Sequence, residues 1–236
     1  MPELALADGT RLPYELKRSS KRRSIGLRIS EQGLVVSIPQ RLSLRELEAL
    51  LYSKRDWIQQ KVQQQAAAKV PALSWQNGET LWLLGNSLPL YLAADSRNRA
   101  ISCDGSRMDV RLTDINDTGM IKRRVTQWYK QQALVDFTRR TELLVQKLGL
   151  PMPPIALSSA RSRWGSCNSK GEIRLNWRLI QAPPHIIQYV IAHELAHLKE
   201  MNHSARFWAI VARLYPSYRD AEAELRQLSR QLHRID

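Results

Sequence analysis

Three histidines and one glutamate between residues 193 and 203 have the types and spacing of a metal-dependent catalytic site. His193 and His197 are four positions apart, so on an α-helix their imidazoles lie on one face and can bind the same metal ion. Glu194 projects about 100° around that helix from His193, where its carboxylate can hold a water molecule beside the ion. With a third imidazole from His203, a zinc ion has one open position for water, which is typical of a catalytic site. The pattern predicts a metal-dependent hydrolase.

The third ligand is predicted to be His203. The spacing of the three histidines equals that of the metzincin pattern H-E-x-x-H-x-x-G-x-x-H, but Glu200 stands at the glycine position and no methionine follows His203 to form a Met-turn. The chain is therefore not assigned to the metzincins. Asn202, which tolerates positive φ, is expected to make the turn that glycine makes there. The alternative third ligand is an acidic residue downstream, with three candidates: Asp220, Glu222 and Glu224.

The sequence before His193 predicts a buried helix that carries the site. Pro183 and Pro184 suit the first turn of a helix, where proline loses no hydrogen bond. Residues 186–192 are apolar on most sides, as is typical of a buried helix. Two histidines and a glutamate are unfavourable in such a place without partners, and a bound metal ion supplies one.

Several short motifs in the second half of the chain together resemble those of a known protein family. They are residues 163–167 (RWGSC), 173–179 (IRLNWRL), 182–184 (APP) and 193–203, followed by Phe207 and Trp208. In these stretches the chain resembles the YgjP-like family of metal-dependent hydrolases, which is grouped with the SprT-like and Wss-type metalloproteases.

The resemblance implies a zincin-type catalytic half. It implies Glu194 as the general base and three zinc ligands: His193, His197 and His203. Zinc is the expected cofactor, although such ligands also accept other divalent ions. Family members are labelled as peptidases, and a nucleoside-triphosphate pyrophosphatase activity has also been attached to the group.

The two substrate classes, polypeptide and nucleotide, make different demands on the chain. The metallopeptidase interpretation, favoured from the sequence, needs an exposed strand edge beside the catalytic helix, where an extended peptide pairs main chain to main chain. The alternative, a nucleoside-triphosphate pyrophosphatase, needs arginines that bind phosphates in bidentate fashion. The candidates lie on the strands before that helix: Arg161, Arg163, Arg174 and Arg178. Exposure to solvent is the simplest explanation of Arg174 and Arg178, which leaves Arg163 as the arginine to test.

The charge of the chain favours anionic partners. Lys and Arg number 36 against 22 Asp and Glu, a formal net charge of +14, and an excess of this size attracts phosphate-bearing molecules. The densest basic run is residues 17–23. It predicts either an ordinary solvated surface or an anion-binding one, so a weak electrostatic contact with nucleic acid is an open expectation.

Composition and termini predict a cytoplasmic protein without a membrane segment. No stretch approaches the roughly 20 apolar residues that cross a bilayer, and residues 1–8 lack the basic and apolar regions of a signal peptide. Cys103 and Cys167 are the two cysteines, which suits a reducing compartment without a disulfide framework.

The first 112 residues are predicted to be β-rich with one helix. Alternating residues at 24–29 and 34–38, with Gln32-Gly33 between them, predict a hairpin. Ser43 and Glu46 form a capping box that begins a helix running towards Pro71. Short β-like runs at 80–84, 88–92, 100–103 and 108–112 then predict a small antiparallel sheet.

Residues 113–236 are predicted to form the zincin-like domain. A long helix from about Asn116 to Leu148 is followed by a hairpin that pairs residues 155–167 with 172–180 beside the catalytic helix. Two further helices are expected, through 207–214 and 218–232. The predicted fold class is α+β, with a small antiparallel β-rich part, 1–112, before the helical catalytic part, 113–236.

Overall fold

The computed structural model describes residues 2–30, 33–67, 70–95 and 100–236. The chain divides into two compact units, Met1–Lys69 and Val70–Asp236. Small sheets and helices occur in both units, which confirms the α+β class. The predicted boundary at residue 112 differs from the observed division, because the strands of residues 80–112 share one core with the helices that follow them.

The first unit is a four-stranded sheet followed by two helices. Its strands are β1 (Glu3–Ala5), β2 (Arg11–Ser19), β3 (Gly26–Ser30) and β4 (Gly33–Pro39), in the order β1-β2-β4-β3. The predicted hairpin is confirmed as the antiparallel pair β3–β4, although Gln32 of its turn lies outside the described residues. Strands β2 and β4 pair in parallel, so the sheet is mixed.

The predicted helix of the first unit is two helices, α1 (Leu44–Ser53) and α2 (Arg55–Ala67). The capping box is confirmed: Ser43 Oγ accepts from the amide of Glu46, and the Glu46 carboxylate accepts from the amide of Ser43. The last part of the prediction, at Ala68, lies outside the described residues. Leucines of α1 and alternate residues of β4 share the core of this unit: Leu34, Val36, Ile38, Leu47 and Leu51.

The second unit begins with another four-stranded sheet. Its strands are β5 (Thr80–Leu83), β6 (Asn86–Ala94), β7 (Ile101–Cys103) and β8 (Met108–Leu112), in the order β5-β6-β8-β7. The prediction of an antiparallel sheet is wrong for its centre, where β6 and β8 pair in parallel. Because β7 forms a hairpin with one edge of β8, the other edge of β8 is left for β6.

The long predicted helix is α3 (Thr118–Gln146), which packs on that sheet. Val125, Tyr129 and Phe137 are buried together with the apolar residues of β6 and β8. The Tyr129 hydroxyl donates to the carbonyl of Trp82, at 2.7 Å. These contacts explain why the strands at 80–112 belong to the second unit.

Three short strands precede the catalytic helix: β9 (Ile155–Ser158), β10 (Gly165–Cys167) and β11 (Ile173–Asn176). The predicted hairpin is confirmed for β10 and β11, but β9 pairs in parallel with the other edge of β11. The predicted second strand also ends early, at Asn176, because the Asn176 side chain accepts from the amide of Arg178 and begins a 3-10 helix, Trp177–Gln181.

Three helices complete the second unit: α4 (Pro184–Ala196), α5 (Ala205–Leu214) and α6 (Tyr218–Leu232). Helix α4 carries the predicted site and is buried along most of its length, among α3, α5, α6 and β10. Pro184 occupies its first turn, as predicted. Among the described residues, no helix is both long and apolar enough to span a bilayer.

Candidate metal centre

The structure brings the three predicted histidines together. One ring nitrogen from each of His193, His197 and His203 lies within 4.8 Å of the others, and the Nε2 atoms of His193 and His203 are 3.1 Å apart. Two imidazole nitrogens bound to one tetrahedral zinc ion are separated by about 3.3 Å, given zinc–nitrogen bonds of 2.0–2.1 Å. The donor set therefore fits a divalent metal ion.

The turn after α4 carries His203 back to the other two histidines. His197 caps the C-terminus of α4, and three residues later the Glu200 carbonyl lies 3.2 Å from His197 Nδ1. The expectation of a positive φ at Asn202 is wrong, since Asn202 is not among the residues with that conformation. Instead its side chain accepts from the amide of Ser204, at 3.1 Å, and Ser204 caps α5.

Phe207 on α5 forms the apolar side of this cluster. Its ring centroid lies 4.9 Å from that of His193, 4.5 Å from His197 and 4.6 Å from His203. Phe207 is fully buried, so it fixes the imidazoles from behind and keeps water away from that side. Trp208 stacks on His203 at 5.9 Å.

The site favours neutral imidazoles, the form that binds metal ions. Burial, together with the proximity of His197 and His203, lowers the pKa of His193 to about 4. Burial also lowers the pKa of His197. The Glu200 carbonyl accepts a hydrogen bond from His197 Nδ1 when that nitrogen carries the proton, which leaves Nε2 free to coordinate.

Glu194 is buried beside the histidines, with 5% of its surface exposed. Burial raises the pKa of its carboxyl to about 8, while the positive charge of Arg163 opposes that rise. A carboxylate with a raised pKa accepts a proton from water more readily than an ordinary glutamate does.

A cleft of about 570 Å³ opens beside His193 and Glu194. Aromatic and apolar side chains form part of its wall, including Trp164 and Tyr189. Apart from Glu194, its charged lining comes from the loop before β10 on one side and from α6 on the other: Arg163, Glu222, Arg226 and Arg230.

The sequence is similar to a known family and to a characterised protein. The sequence model of the YgjP-like metallopeptidase domain matches residues 23–228. The chain belongs to the YgjP-like family. A UTP pyrophosphatase from Escherichia coli (strain K12) is 33% identical over 67 residues, which are 28% of this chain and 40% of that protein. This chain thus spans less than half of the length of that relative. No solved structure matches the chain.

Membership of the YgjP-like family indicates a metal-dependent hydrolase, and the three-histidine cluster can hold the ion that such an enzyme requires. Two acidic residues offered as alternative third ligands have other neighbours. Glu224 lies 2.7 Å from His185, and Glu222 forms an ion pair with Arg226 at 3.2 Å. The histidines alone make up the metal-ligating cluster found around α4 in the described part of the chain.

The four arginines considered as candidate phosphate ligands lie in different environments. Arg163 lines the cleft, and Arg174 is exposed as expected. The expectation of an exposed Arg178 is wrong: its side chain is buried and forms an ion pair with Asp236. Arg161 also pairs with Asp236, at 3.2 Å. Arg178 therefore stabilises the fold rather than lining the cleft.

Asn176 attaches the loop that carries Arg163 to the sheet. Its side-chain amide donates to the carbonyls of Ala160, at 2.7 Å, and Arg163, at 3.2 Å. Its backbone amide donates to the carbonyl of Trp164, at 2.8 Å. Sequence reasoning did not identify this role, nor the positions of Arg226 and Arg230, because both depend on contacts between distant segments.

Proposed function

We propose that this protein is a metal-dependent hydrolase with Glu194 as its general base. Three side chains hold a divalent ion, with zinc the first candidate: His193, His197 and His203. The single observation that carries the proposal is the convergence of their ring nitrogens, within 4.8 Å of one another, beside the buried carboxyl of Glu194.

The proposed hydrolysis follows from the chemical properties of the metal site and of Glu194. A divalent ion held by the three histidines would supply a Lewis acid, which would activate water for attack and polarise the bond to be broken. The Glu194 carboxylate accepts a proton from the attacking water and passes it to the leaving group. Phe207 holds the imidazoles in place from the apolar side, and the cleft admits substrate from the other.

The substrate we infer is a nucleoside triphosphate. Three guanidinium groups line the cleft, from Arg163, Arg226 and Arg230, against two carboxyl groups, the proposed base Glu194 and Glu222, which pairs with Arg226. Guanidinium groups bind phosphate oxygens in bidentate fashion. Water attack on the α-phosphorus then breaks its bond to the oxygen that bridges the α- and β-phosphates, and gives a nucleoside monophosphate and pyrophosphate. The matching segment of the Escherichia coli relative belongs to a UTP pyrophosphatase, which supports the same substrate class.

Peptide hydrolysis is the second candidate, favoured by a different observation. Strand β10 lies against α4 and stands at the edge of its sheet, in the order β10-β11-β9. An edge strand beside a catalytic helix can pair with an extended peptide, which places a peptide bond near the metal site.

A parallel hydrolysis assay separates the two candidates. Zinc-loaded wild-type protein is incubated with the common nucleoside triphosphates and with unfolded polypeptides, and Glu194→Gln serves as the control. We expect pyrophosphate release that is lost in Glu194→Gln and weakened in Arg163→Ala. Glu194-dependent cleavage of polypeptides without pyrophosphate release would replace the nucleotide proposal with the peptidase.

A further inference from the structure

Gly165, the first residue of β10, lies directly against the side chain of Glu194. A Cβ atom at Gly165 would stand 2.6 Å from both Cδ and Cγ of Glu194 and closer still to its Oε1 atom. Real Cβ atoms essentially never come within 3.0 Å of such neighbours. An alanine at position 165 would therefore overlap with the Glu194 side chain in its observed conformation.

The backbone at Gly165 does not itself require glycine. Gly165 is absent from the glycines with positive φ, and it pairs in register with Leu175 in an ordinary antiparallel ladder. Glycine weakens a strand unless something needs the space that a side chain would fill. Here the group in that space is the Glu194 carboxyl.

Glu194 can leave this contact towards the cleft, which both residues line, and it would then leave its place beside the histidines. It is 5% exposed, on a helix whose neighbouring residues Leu195 and Ala196 are fully buried. Interiors of this kind are close-packed, so an added methyl group forces a side chain to move rather than filling a void. The displaced group would be the carboxyl beside the histidine cluster.

We propose that Gly165 is a positioning residue for Glu194. Its missing side chain lets β10 approach α4 closely enough to confine the Glu194 carboxyl beside His193, His197 and His203. This inference rests on the proposed function, since it acts through Glu194 as the base.

A double-mutant cycle on thermal stability tests the contact without any substrate. In metal-free protein, Gly165→Ala is expected to lower the Tm of the second unit by on the order of 5 °C. In the Glu194→Ala background the added methyl enters space that the shorter side chain leaves, so the loss should disappear. Gly119→Ala is the matched control and should show a much smaller loss, because its added Cβ meets only the side-chain ends of Asp117 and Arg123, at 3.2 and 3.4 Å. An equal drop in both backgrounds, or none in either, would overturn the proposal.

Measurements of turnover and zinc affinity distinguish a positioning role of Gly165 from general damage to the fold. In zinc-loaded Gly165→Ala, kcat should fall on the order of 100-fold, as for a misplaced catalytic group, with KM and zinc affinity unchanged. A loss of zinc affinity equal to the loss of kcat would contradict the positioning role. Glu194→Gln is measured in parallel: if it retains turnover, the proposed function fails, whereas an inactive Glu194→Gln with a fully active Gly165→Ala rejects the role of Gly165 alone.

Discussion

At the scale of single residues, the site combines groups whose burial opposes their charge. Burial raises the pKa of the Glu194 carboxyl to about 8 and lowers the pKa of His193 to about 4. Such shifts reduce the stability of the folded protein at some pH values and adapt the residues for proton transfer and metal binding. Function and stability therefore make opposite demands on the same side chains.

Glu194→Gln is expected to stabilise metal-free protein at alkaline pH. The folded-state pKa of Glu194, about 8, lies above the value of 4.5 for an unperturbed glutamate. Between these values the folded protein holds a proton that the unfolded chain has released, so the free energy of unfolding falls as pH rises through that window. Glutamine has nothing to ionise and avoids this loss.

Thermal unfolding of wild type and Glu194→Gln in excess chelator, at pH 5 and pH 9, measures the effect. The Tm gain of the variant should be larger at pH 9. A gain that is equal at the two pH values would show that Glu194 does not titrate in this way.

The spacing of residues 193–203 was sufficient to predict which side chains converge, because helix periodicity fixes His193 and His197 on one face. It was not sufficient for Gly165 or Arg226. Their roles come from the approach of β10 and α6 to α4, and contacts between segments distant in sequence leave no local periodic pattern.

At the scale of elements, the loop that carries Arg163 depends on β11. Asn176→Ala is expected to lower the free energy of unfolding by about 1–3 kcal/mol, because it leaves the carbonyls of Ala160 and Arg163 without their donor. Denaturant unfolding measures the loss. Arg174→Ala, an exposed neighbour on the same strand, is the control and should change stability little; equal losses in both variants would contradict the anchoring role.

Local sequence patterns predicted the helices and strands better than they predicted how the strands pair. The capping box at Ser43 and the end of the long helix, predicted at about Leu148 and found at Gln146, were readable because both are set within a few residues. The parallel pairs β2–β4 and β6–β8 were not, since each depends on which strand edge remains after a hairpin has formed. The same holds for β9, which joins the far edge of β11.

At the scale of the whole molecule, part of the net charge of +14 lies on the first unit, where 13 Lys and Arg stand against 7 Asp and Glu. The sheet face opposite its core forms a groove of about 450 Å³. Basic side chains dominate its charged lining, from Lys17, Arg22 and Arg28, and the groove also contains Glu15, which pairs with Lys17 at 3.2 Å. This surface is where an electrostatic contact with nucleic acid is expected.

We expect weak, salt-dependent binding of nucleic acid through that groove. Wild-type protein should bind a labelled oligonucleotide at low salt and release it as salt rises, because each phosphate contact releases counterions. Arg22→Glu with Arg28→Glu should weaken binding and flatten the slope of affinity against salt. Arg11→Glu, on the same sheet but outside the groove lining, is the matched control. Identical slopes for all three proteins would show that the basic groove is an ordinary solvated surface and does not bind nucleic acid.

Metal content and turnover, measured together in wild type and Glu194→Gln, test the central claim most directly. Metal-free protein is titrated with zinc, freed of excess ion, and assayed for pyrophosphate release from nucleoside triphosphates and for polypeptide cleavage. The account predicts about one zinc per chain in both proteins, with turnover lower by about 10²–10⁴-fold in Glu194→Gln, the usual contribution of a general base. Zinc bound in both proteins with equal turnover, or no zinc in either, would contradict it.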